Sequence, residues 1–393
     1  MPLRRTAALV FVSALVAACR RDAAPPARVA SNATPAWPAG TGWKLSAAPL
    51  TAIGEVVGAE AYQLNGVVAA FRQPGGTIVI GDRGSAQVRY FTPRGQHLRS
   101  VGGKGGGPGQ FRVMDWVGER GDSVLAWDPI AARLTVFGPA GRLGRELRIA
   151  AAANGLHQVV GVLGDGSLLI RPRSGDVGAA PGEHVDSATY LRVSGADGHV
   201  LGTLGPFPLG DRVTNRSGAL TLTGDVIFGR GGVIVPGPRG VFTGVTGAFE
   251  LTARSFDGTP LRTLGRAHAP VKASGSDVHA ALEQRRAEAG LGKTYPGMDR
   301  LEEAQLADLP HRDTLPAFTR ALVDGDGNVW MEEFRIDPAA AATWSVFDGG
   351  GRWLGRVGTP AGLRVTQISG GAVTGVTRDA LGVEGVVVYA LIR

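Results

Sequence analysis

Charged residues follow several short β-rich runs of this sequence, at the point where each run gives way to a loop. They are Asp82 and Arg83, Asp128, Arg171 and Arg173, Glu332 and Glu333, and Arg378 and Asp379. If these side chains converge, they could bind a polar ligand, or their carboxylates could hold a divalent metal ion. A structural explanation is the more common one, since short acidic residues at bends accept hydrogen bonds from backbone N–H groups and arginines pair with them.

Motifs that would fix one particular chemistry are incomplete. Asp324, Asp326 and Asn328 alternate like the ligands of a calcium loop, but Val329 and Arg335 stand where such a loop needs Gly and Glu, so we predict a hairpin turn. The seven histidines form no H-E-x-x-H pair, and no G-x-S-x-G motif occurs. We therefore predict no cofactor, with a divalent metal possible only if several segments share its coordination.

The composition favours an architecture rich in tight turns. Glycine accounts for 61 of 393 residues, and each Gly inside a helix costs about 1 kcal/mol relative to Ala, so a mainly helical fold is excluded. The hydrophobic fraction of 44% is sufficient for a core, whereas charged residues make up only 19%. Arginines and acidic residues alternate along the chain despite the net charge of +7, which argues against nucleic-acid binding.

An internal repeat positions the charged residues. The pattern Gly-x-x-Leu-x-x-apolar-Gly begins at Gly95, Gly198, Gly258 and Gly351, and a weaker copy begins at Gly141. Each copy follows a β-rich run and is preceded by another hairpin, whose turn contains glycine. Each unit thus consists of a first hairpin with a glycine turn and a second hairpin that carries the repeated pattern. The sequence contains six first hairpins but only five second hairpins. Alternating hairpins of this kind are typical of four-stranded propeller blades, so we predict an all-β, six-bladed propeller over residues 43–393.

The sixth second hairpin lacks its outer strand at the C-terminus, and a segment near the N-terminus has the pattern of this strand. Leu50–Gly54 has the same spacing as the other outer strands, and the C-terminal run that begins at Val386 is a third strand with no fourth strand after it. We predict that the two ends of the chain pair and close the ring, because closure leaves no long unpaired sheet edge.

Three long insertions are expected on one face of this propeller. In a blade whose strands run A to D from the centre outward, A–B and C–D turns share one face, and B–C and D–A connections share the other. Residues 172–188, 206–232 and 266–316 all belong to the second set. The last contains a predicted helix, Asp277–Ala289, with Ser276 as its N-cap.

The N-terminus indicates export. Residues 1–18 contain Arg4 and Arg5 followed by an apolar run too short to span a bilayer, which is typical of a signal peptide. Small residues precede Cys19, the only cysteine, and this stretch resembles the bacterial lipobox. The resemblance implies acylation of Cys19 and a lipoprotein of the cell envelope. We expect residues 19–42, which are rich in Ala and Pro, to form a flexible tether on the face opposite the insertions.

The first predicted blade carries a family resemblance. Residues 78–91 and the Gly-rich run 102–111 resemble an NHL repeat, and the mature chain resembles six-bladed NHL- or TolB-like propeller lipoproteins. The resemblance implies a binding or scaffold module for a protein, peptide or glycan partner on the insertion-bearing face. The alternative it leaves open is a metal-dependent exported enzyme of the lactonase or lyase kind, with its site at the mouth of the central channel.

Overall fold

In a computed structural model of the chain, the repeated hairpins of the described residues form six sheets, and the strands of each hairpin are antiparallel. The structure describes residues 27–28, 32–152, 157–172, 180–217, 220–289, 306 and 309–393. Cys19, Arg173 and the predicted signal peptide at 1–18 lie outside the described residues.

The strands are numbered along the chain. Three short strands come first: β1 (Ala27–Arg28), β2 (Lys44–Leu45) and β3 (Thr51–Ile53). The first sheet contains β4 (Val67–Arg72), β5 (Ile78–Asp82), β6 (Gln87–Phe91) and β7 (His97–Gly102). The second contains β8 (Trp116–Arg120), β9 (Ser123–Asp128), β10 (Arg133–Phe137) and β11 (Leu143–Arg148). The third contains β12 (Gln158–Val162), β13 (Leu168–Arg171), β14 (Gly182–Val193), β15 (Val200–Ser217) and β16 (Leu220–Asp225).

The remaining elements follow in the same order. The fourth sheet contains β17 (Gly232–Gly237), β18 (Gly240–Val245), β19 (Glu250–Arg254) and β20 (Pro260–Gly265), and α1 (Gly275–Ala289) comes after it. The fifth contains β21 (Phe318–Val323), β22 (Val329–Glu333), β23 (Ala342–Phe347) and β24 (Trp353–Thr359). The sixth contains β25 (Arg364–Ser369), β26 (Ala372–Arg378) and β27 (Glu384–Ile392). Short 3₁₀ turns cover Glu60–Tyr62, Pro139–Gly141 and Ala150–Ala152.

The predicted pairing of the two chain ends is confirmed. Strand β3 pairs antiparallel with β27, with Ile53 opposite Val386 and Thr51 opposite Val388. The first strand of each sheet contacts the first strand of the next, and the cycle closes from β25 back to β4. This closure protects the sheet edge that a lone β27 would expose.

The core lies between neighbouring sheets. Six clusters of buried side chains occur, one at each junction between adjacent sheets, including the junction of the sixth sheet with the first. Trp127, Trp330 and Trp344 are buried within these clusters. These tryptophans pack the neighbouring sheets together.

Two of the predicted insertions contain more regular structure than a loop. Strands β14 and β15 extend well beyond the other strands of their sheet, and they stay paired from Val193 with Val200 out to Gly182 with Thr214. Strand β16 then pairs with the end of β15. Parts of 172–188 and 206–232 therefore form one projecting ribbon, because the backbone groups of each segment find partners in the other.

The helix in the third insertion begins slightly earlier than predicted. Its N-cap is Ser274 instead of Ser276: the Ser274 Oγ accepts a hydrogen bond from the Asp277 N–H at 3.2 Å, and an Asp277 carboxylate oxygen accepts one from the Ser274 N–H at 2.8 Å. This reciprocal capping box satisfies two of the N–H groups that the start of a helix leaves unpaired. No helix among the described residues is both long and apolar enough to cross a membrane.

The described part of the expected tether lies against the sheets. Strand β1 pairs in parallel with β20, and Ala27 lies opposite Arg262. The Asn32 side-chain amide donates hydrogen bonds to the Gly265 and Gly351 carbonyl oxygens. Trp37 covers Gly355 so closely that a Cβ there would come within 2.4 Å of its ring. Residues 32–42 thus differ from the expected flexible tether, because backbone hydrogen bonds and tryptophan packing fix them to the outer strands.

Candidate functional site

Two of the predicted acidic site residues hold the bends that follow their strands. Asp82 accepts hydrogen bonds from the Asn65 N–H at 2.7 Å, the Ser85 N–H at 3.1 Å and Arg89 Nη2 at 3.1 Å. Asp128 Oδ1 accepts from the N–H groups of the two residues after Pro129, and its Oδ2 accepts from the Arg112 N–H at 2.7 Å. Both carboxylates are buried, and both of their oxygens are engaged by donors of the chain itself.

Several other predicted site residues make local contacts at separate sheets. Arg83 pairs with Asp115 at 2.7 Å, and Arg171 Nη2 donates to Gln158 Oε1 at 2.6 Å. Asp379 Oδ1 accepts from backbone N–H groups of its own loop.

The remaining three described residues, Glu332, Glu333 and Arg378, each form ion pairs in separate groups of arginines and glutamates. Arg378 pairs with Glu384 at 2.9 Å, and the other Glu384 carboxylate oxygen accepts from the Val67 N–H at 2.6 Å. Glu333 pairs with Arg356 at 2.7 Å and with Arg266 at 3.0 Å. Burial favours a raised pKa for Glu333, but the hydrogen bonds and charges around it prevail and hold this pKa below its usual value.

The turn at Asp324 confirms the hairpin interpretation of the calcium-like motif. Asp324 Oδ1 accepts from the backbone N–H groups of Asp326 and Asn328, and Oδ2 accepts from the Asn328 amide and from Trp330 Nε1. Throughout the described segments, no three side chains of His, Cys, Asp or Glu come together as a metal site would require.

One predicted residue, Glu332, lines a cavity of about 700 Å³ that we call the arginine cavity. Its walls come from the projecting ribbon, from α1, from the fifth sheet and from the chain that leads into β25. The lining residues are 209–211, 225–231, 281, 284, 285, 316, 319, 320, 332, 334–336, 338 and 362–364. The cavity therefore lies on the face that carries the B–C and D–A connections, which we call the insertion face. The opposite face, which carries the A–B and C–D turns, is the turn face.

Five arginines and three carboxylates line this cavity. The arginines are Arg230, Arg285, Arg320, Arg335 and Arg364, and the carboxylates are Asp211, Asp225 and Glu332. Glu332 is buried and is shared between Arg320, at 2.6 Å, and Arg335. The lining thus carries a formal excess of two positive charges.

Asp211 is also shared between two cations. Arg230 contacts it at 3.1 Å and Arg312 at 3.0 Å, and the carboxylate is almost fully buried. Burial favours a raised pKa for Asp211, but the hydrogen bonds from Arg230 and Arg312 outweigh it and lower the pKa. Asp225 pairs with Arg212 at 2.9 Å. The acidic side of the cavity is therefore neutralised by the protein itself.

Arg285 and Arg364 differ from the other arginines of the lining. Arg285 donates to the Asp225 backbone carbonyl at 2.7 Å, and Arg364 donates to the Val67 backbone carbonyl at 3.0 Å. Within the described residues, neither forms an ion pair with a carboxylate. Loss of solvent lowers the pKa of Arg364, and the nearby charge of Arg320 lowers it further, against an opposing effect of Glu384.

An aromatic pair forms part of the wall. The rings of Phe228 and Phe334 meet edge to face, with their centroids 6.0 Å apart. Phe228 has a φ of +55°, a left-handed conformation that is rare for a bulky residue. The turn is held in place by a hydrogen bond from the Gly229 N–H to the Val226 carbonyl and by two backbone hydrogen bonds between Ile227 and residues 310 and 312. Strained residues of this kind cluster at functional sites.

Glu332, one of the site residues predicted from the sequence, lies in the cavity wall. The arginines and phenylalanines of the cavity were not predicted as site residues. They come from separate segments that span residues 228–364, and no local motif connects them. Apart from Glu332 itself, the sequence signal that pointed to this region was the length of the insertions.

Comparisons with known proteins bear on the fold. No protein-family model matches the chain, and no curated protein matches it. A solved structure of a DUF4221-family member from Bacteroides vulgatus superposes with a TM-score of 0.53 at 8% identity, and the match covers 89% of this chain and 99% of that one. The chain has a β-propeller fold.

Two further structures superpose with lower TM-scores. A Bacteroides fragilis protein, named as a candidate exported protein, matches with a TM-score of 0.49 at 10% identity, covering 94% of this chain and 99% of that one. Virginiamycin B lyase from Staphylococcus aureus matches with a TM-score of 0.40 at 8% identity, covering 89% of this chain and 100% of that one.

Proposed function

We propose that this protein is an exported, lipid-anchored propeller of six blades, related in kind to NHL- and TolB-like propellers, that acts as a binding module. Its binding site is the arginine cavity on the insertion face. The partner is a protein, peptide or glycan of the cell envelope that places a group in this cavity.

One observation carries the proposal: the cavity combines unpaired charge with a strained aromatic wall. A cavity without a function is expected to be small and apolar, with an unstrained backbone around it. Close packing removes large voids, and buried polar groups are hydrogen-bonded. This cavity has a volume within the range of ligand sites, contains two arginines that pair with no carboxylate of the described residues, and includes Phe228 in an unfavourable backbone conformation.

The path of the N-terminal segment supports an orientation on the membrane. Ala27 lies beside the first half of β20, the half that follows the C–D turn at Gly258. Eight residue steps separate Cys19 from Ala27, and at about 3.5 Å per step they span at most about 28 Å. An acyl group on Cys19 would hold the turn face near the membrane and leave the arginine cavity accessible from the other side.

Site-specific photocrosslinking in the native envelope tests this proposal. A benzophenone amino acid at position 281, in the cavity wall on α1, is expected to yield one dominant adduct. The matched control places the same amino acid at Arg142, an exposed residue of the turn face, and no such adduct is expected. Equal labelling from both positions, or no adduct from position 281, would refute binding at the insertion face.

A further inference from the structure

We infer that the arginine cavity binds an organic anion, a carboxylate or a phosphate attached to an apolar or aromatic group. This inference rests on the proposed function, because it names the chemical class of the group that the proposed binding site takes. Some charges in the cavity are already paired within the protein, and others are not.

The acidic groups of the cavity are already engaged. Glu332 uses one carboxylate oxygen for Arg320 and the other for Arg335. Asp211 uses both of its oxygens for Arg230 and one of them also for Arg312. A cationic ligand would have to compete with these arginines, and it would also meet the formal excess of two positive charges in the lining.

The basic groups retain unused donors. A guanidinium carries five N–H donors, and among the described residues Arg285 and Arg364 each use one nitrogen to donate to a neutral backbone carbonyl. Carboxylate and phosphate oxygens fit the guanidinium fork, and such charge-assisted hydrogen bonds are about twice as strong as neutral ones. An anion would also reduce the mutual repulsion between Arg364 and the adjacent Arg320.

The apolar surface elsewhere in the cavity wall indicates that the ligand also carries an apolar group. Phe228 and Phe334 are half-buried, so part of each ring remains accessible. Leu363, Ile336 and Pro338 add further apolar surface to the same cavity. A small inorganic anion would leave this surface in contact with water, whereas an aromatic or aliphatic group on the anion would cover it.

A pair of dyes with the same ring system tests the charge requirement directly. Anilinonaphthalene sulfonate carries an anionic group, and phenylnaphthylamine has the same aromatic skeleton without it. We expect the anionic dye to bind the purified mature protein saturably, by fluorescence titration, and the neutral dye to bind about tenfold more weakly or worse. Benzoate and phenyl phosphate should displace the bound dye, and their relative potency distinguishes a carboxylate from a phosphate ligand. Benzamide should not displace it.

Substitutions then locate the bound dye. Arg285→Gln changes only a helix side chain at the cavity wall, and Arg364→Gln removes the arginine at the start of β25. Each is expected to weaken binding of the anionic dye about tenfold while leaving the neutral dye unchanged. Arg142→Gln, on the turn face, serves as the matched control and should change neither. Because Arg364 also bonds to Val67 of the first sheet, Arg285→Gln keeps the test valid if the Arg364 variant is unstable.

The possible results separate this inference from the proposed function. Equal binding of both dyes, with no effect of either arginine, would refute the anion class. The crosslinking experiment would still decide whether the cavity is a binding site. A loss of dye binding in the Arg142 variant equal to that in the Arg285 variant would show that the dye senses only the overall charge, and it would also overturn the inference.

Discussion

The backbone of Phe228 allows a test that separates strain from side-chain contacts. Phe228→Ala and Phe228→Gly both remove the ring, so they differ only in how the residue tolerates a φ of +55°. An L-residue in the left-handed region costs about 1–2 kcal/mol, whereas glycine adopts this region freely. Glycine loses about 0.5–1 kcal/mol more conformational entropy on folding than alanine. The balance of these two terms predicts that the Gly variant is more stable than the Ala variant, by up to about 1.5 kcal/mol and by about 0.75 kcal/mol at the middle of the two ranges.

Phe334, the ring partner of Phe228, provides the control pair. It has no positive φ, so Phe334→Ala should be more stable than Phe334→Gly by about 0.5–1 kcal/mol, the reverse of the order at 228. Scanning calorimetry can detect the difference. With about 2.1 cal/mol/K per residue over about 350 residues, 1 kcal/mol corresponds to a Tm shift of about 1–2 °C. An Ala variant at 228 as stable as the Gly variant would contradict the strain argument and remove one support of the proposed site.

Three further predictions concern the anchor, the ring closure and the response to acid. Cys19→Ala should move the protein from the membrane fraction to the soluble envelope fraction, measured by fractionation and by labelling with a radioactive fatty acid. Ile53→Ala should lower the free energy of unfolding by about 2–5 kcal/mol in denaturant titrations, because Ile53 is buried where β3 pairs with β27, whereas Ala52→Ser on the exposed side should have little effect. The lowered pKa of Glu333 contributes stability that is present above its unfolded pKa of about 4.5 and is lost as the pH falls through the folded value. As the pH falls below about 4.5, the Glu333→Gln variant should therefore lose less stability than the wild type does. Thermal melts recorded across that pH range measure the difference.

Local sequence information was sufficient for the hairpins and for the acidic bends. The turn glycines recur where the chain reverses, and Gly95 and Gly198 have positive φ values of +81° and +82°. Asp82 and Asp128 accept backbone hydrogen bonds from residues two or three positions later, which is a local interaction that residue type predicts. The pairing of β3 with β27 was also predictable, because the Leu50–Gly54 pattern is the same as in the other outer strands.

Other features depended on contacts between distant segments. The projecting ribbon forms because 182–188 finds partners in 207–214, and nothing within either segment specifies the other. The described residues of the N-terminal segment become ordered through contacts with strands more than two hundred residues later in the chain. Composition alone indicated flexibility for this segment, because the sequence does not show which outer strands are available to bind it.

The sequence by itself determined the class of architecture, since turn propensities and strand periodicity act over a few residues and repeat along the chain. Only the tertiary structure decided where a ligand could bind. Among the described residues, Arg285 and Arg364 lack a carboxylate partner because none comes within reach of them after folding. The chain has 37 arginines that look alike in sequence, but among the described ones the nearby carboxylates differ. Ion pairing depends on distance and burial, and these are properties of the folded molecule.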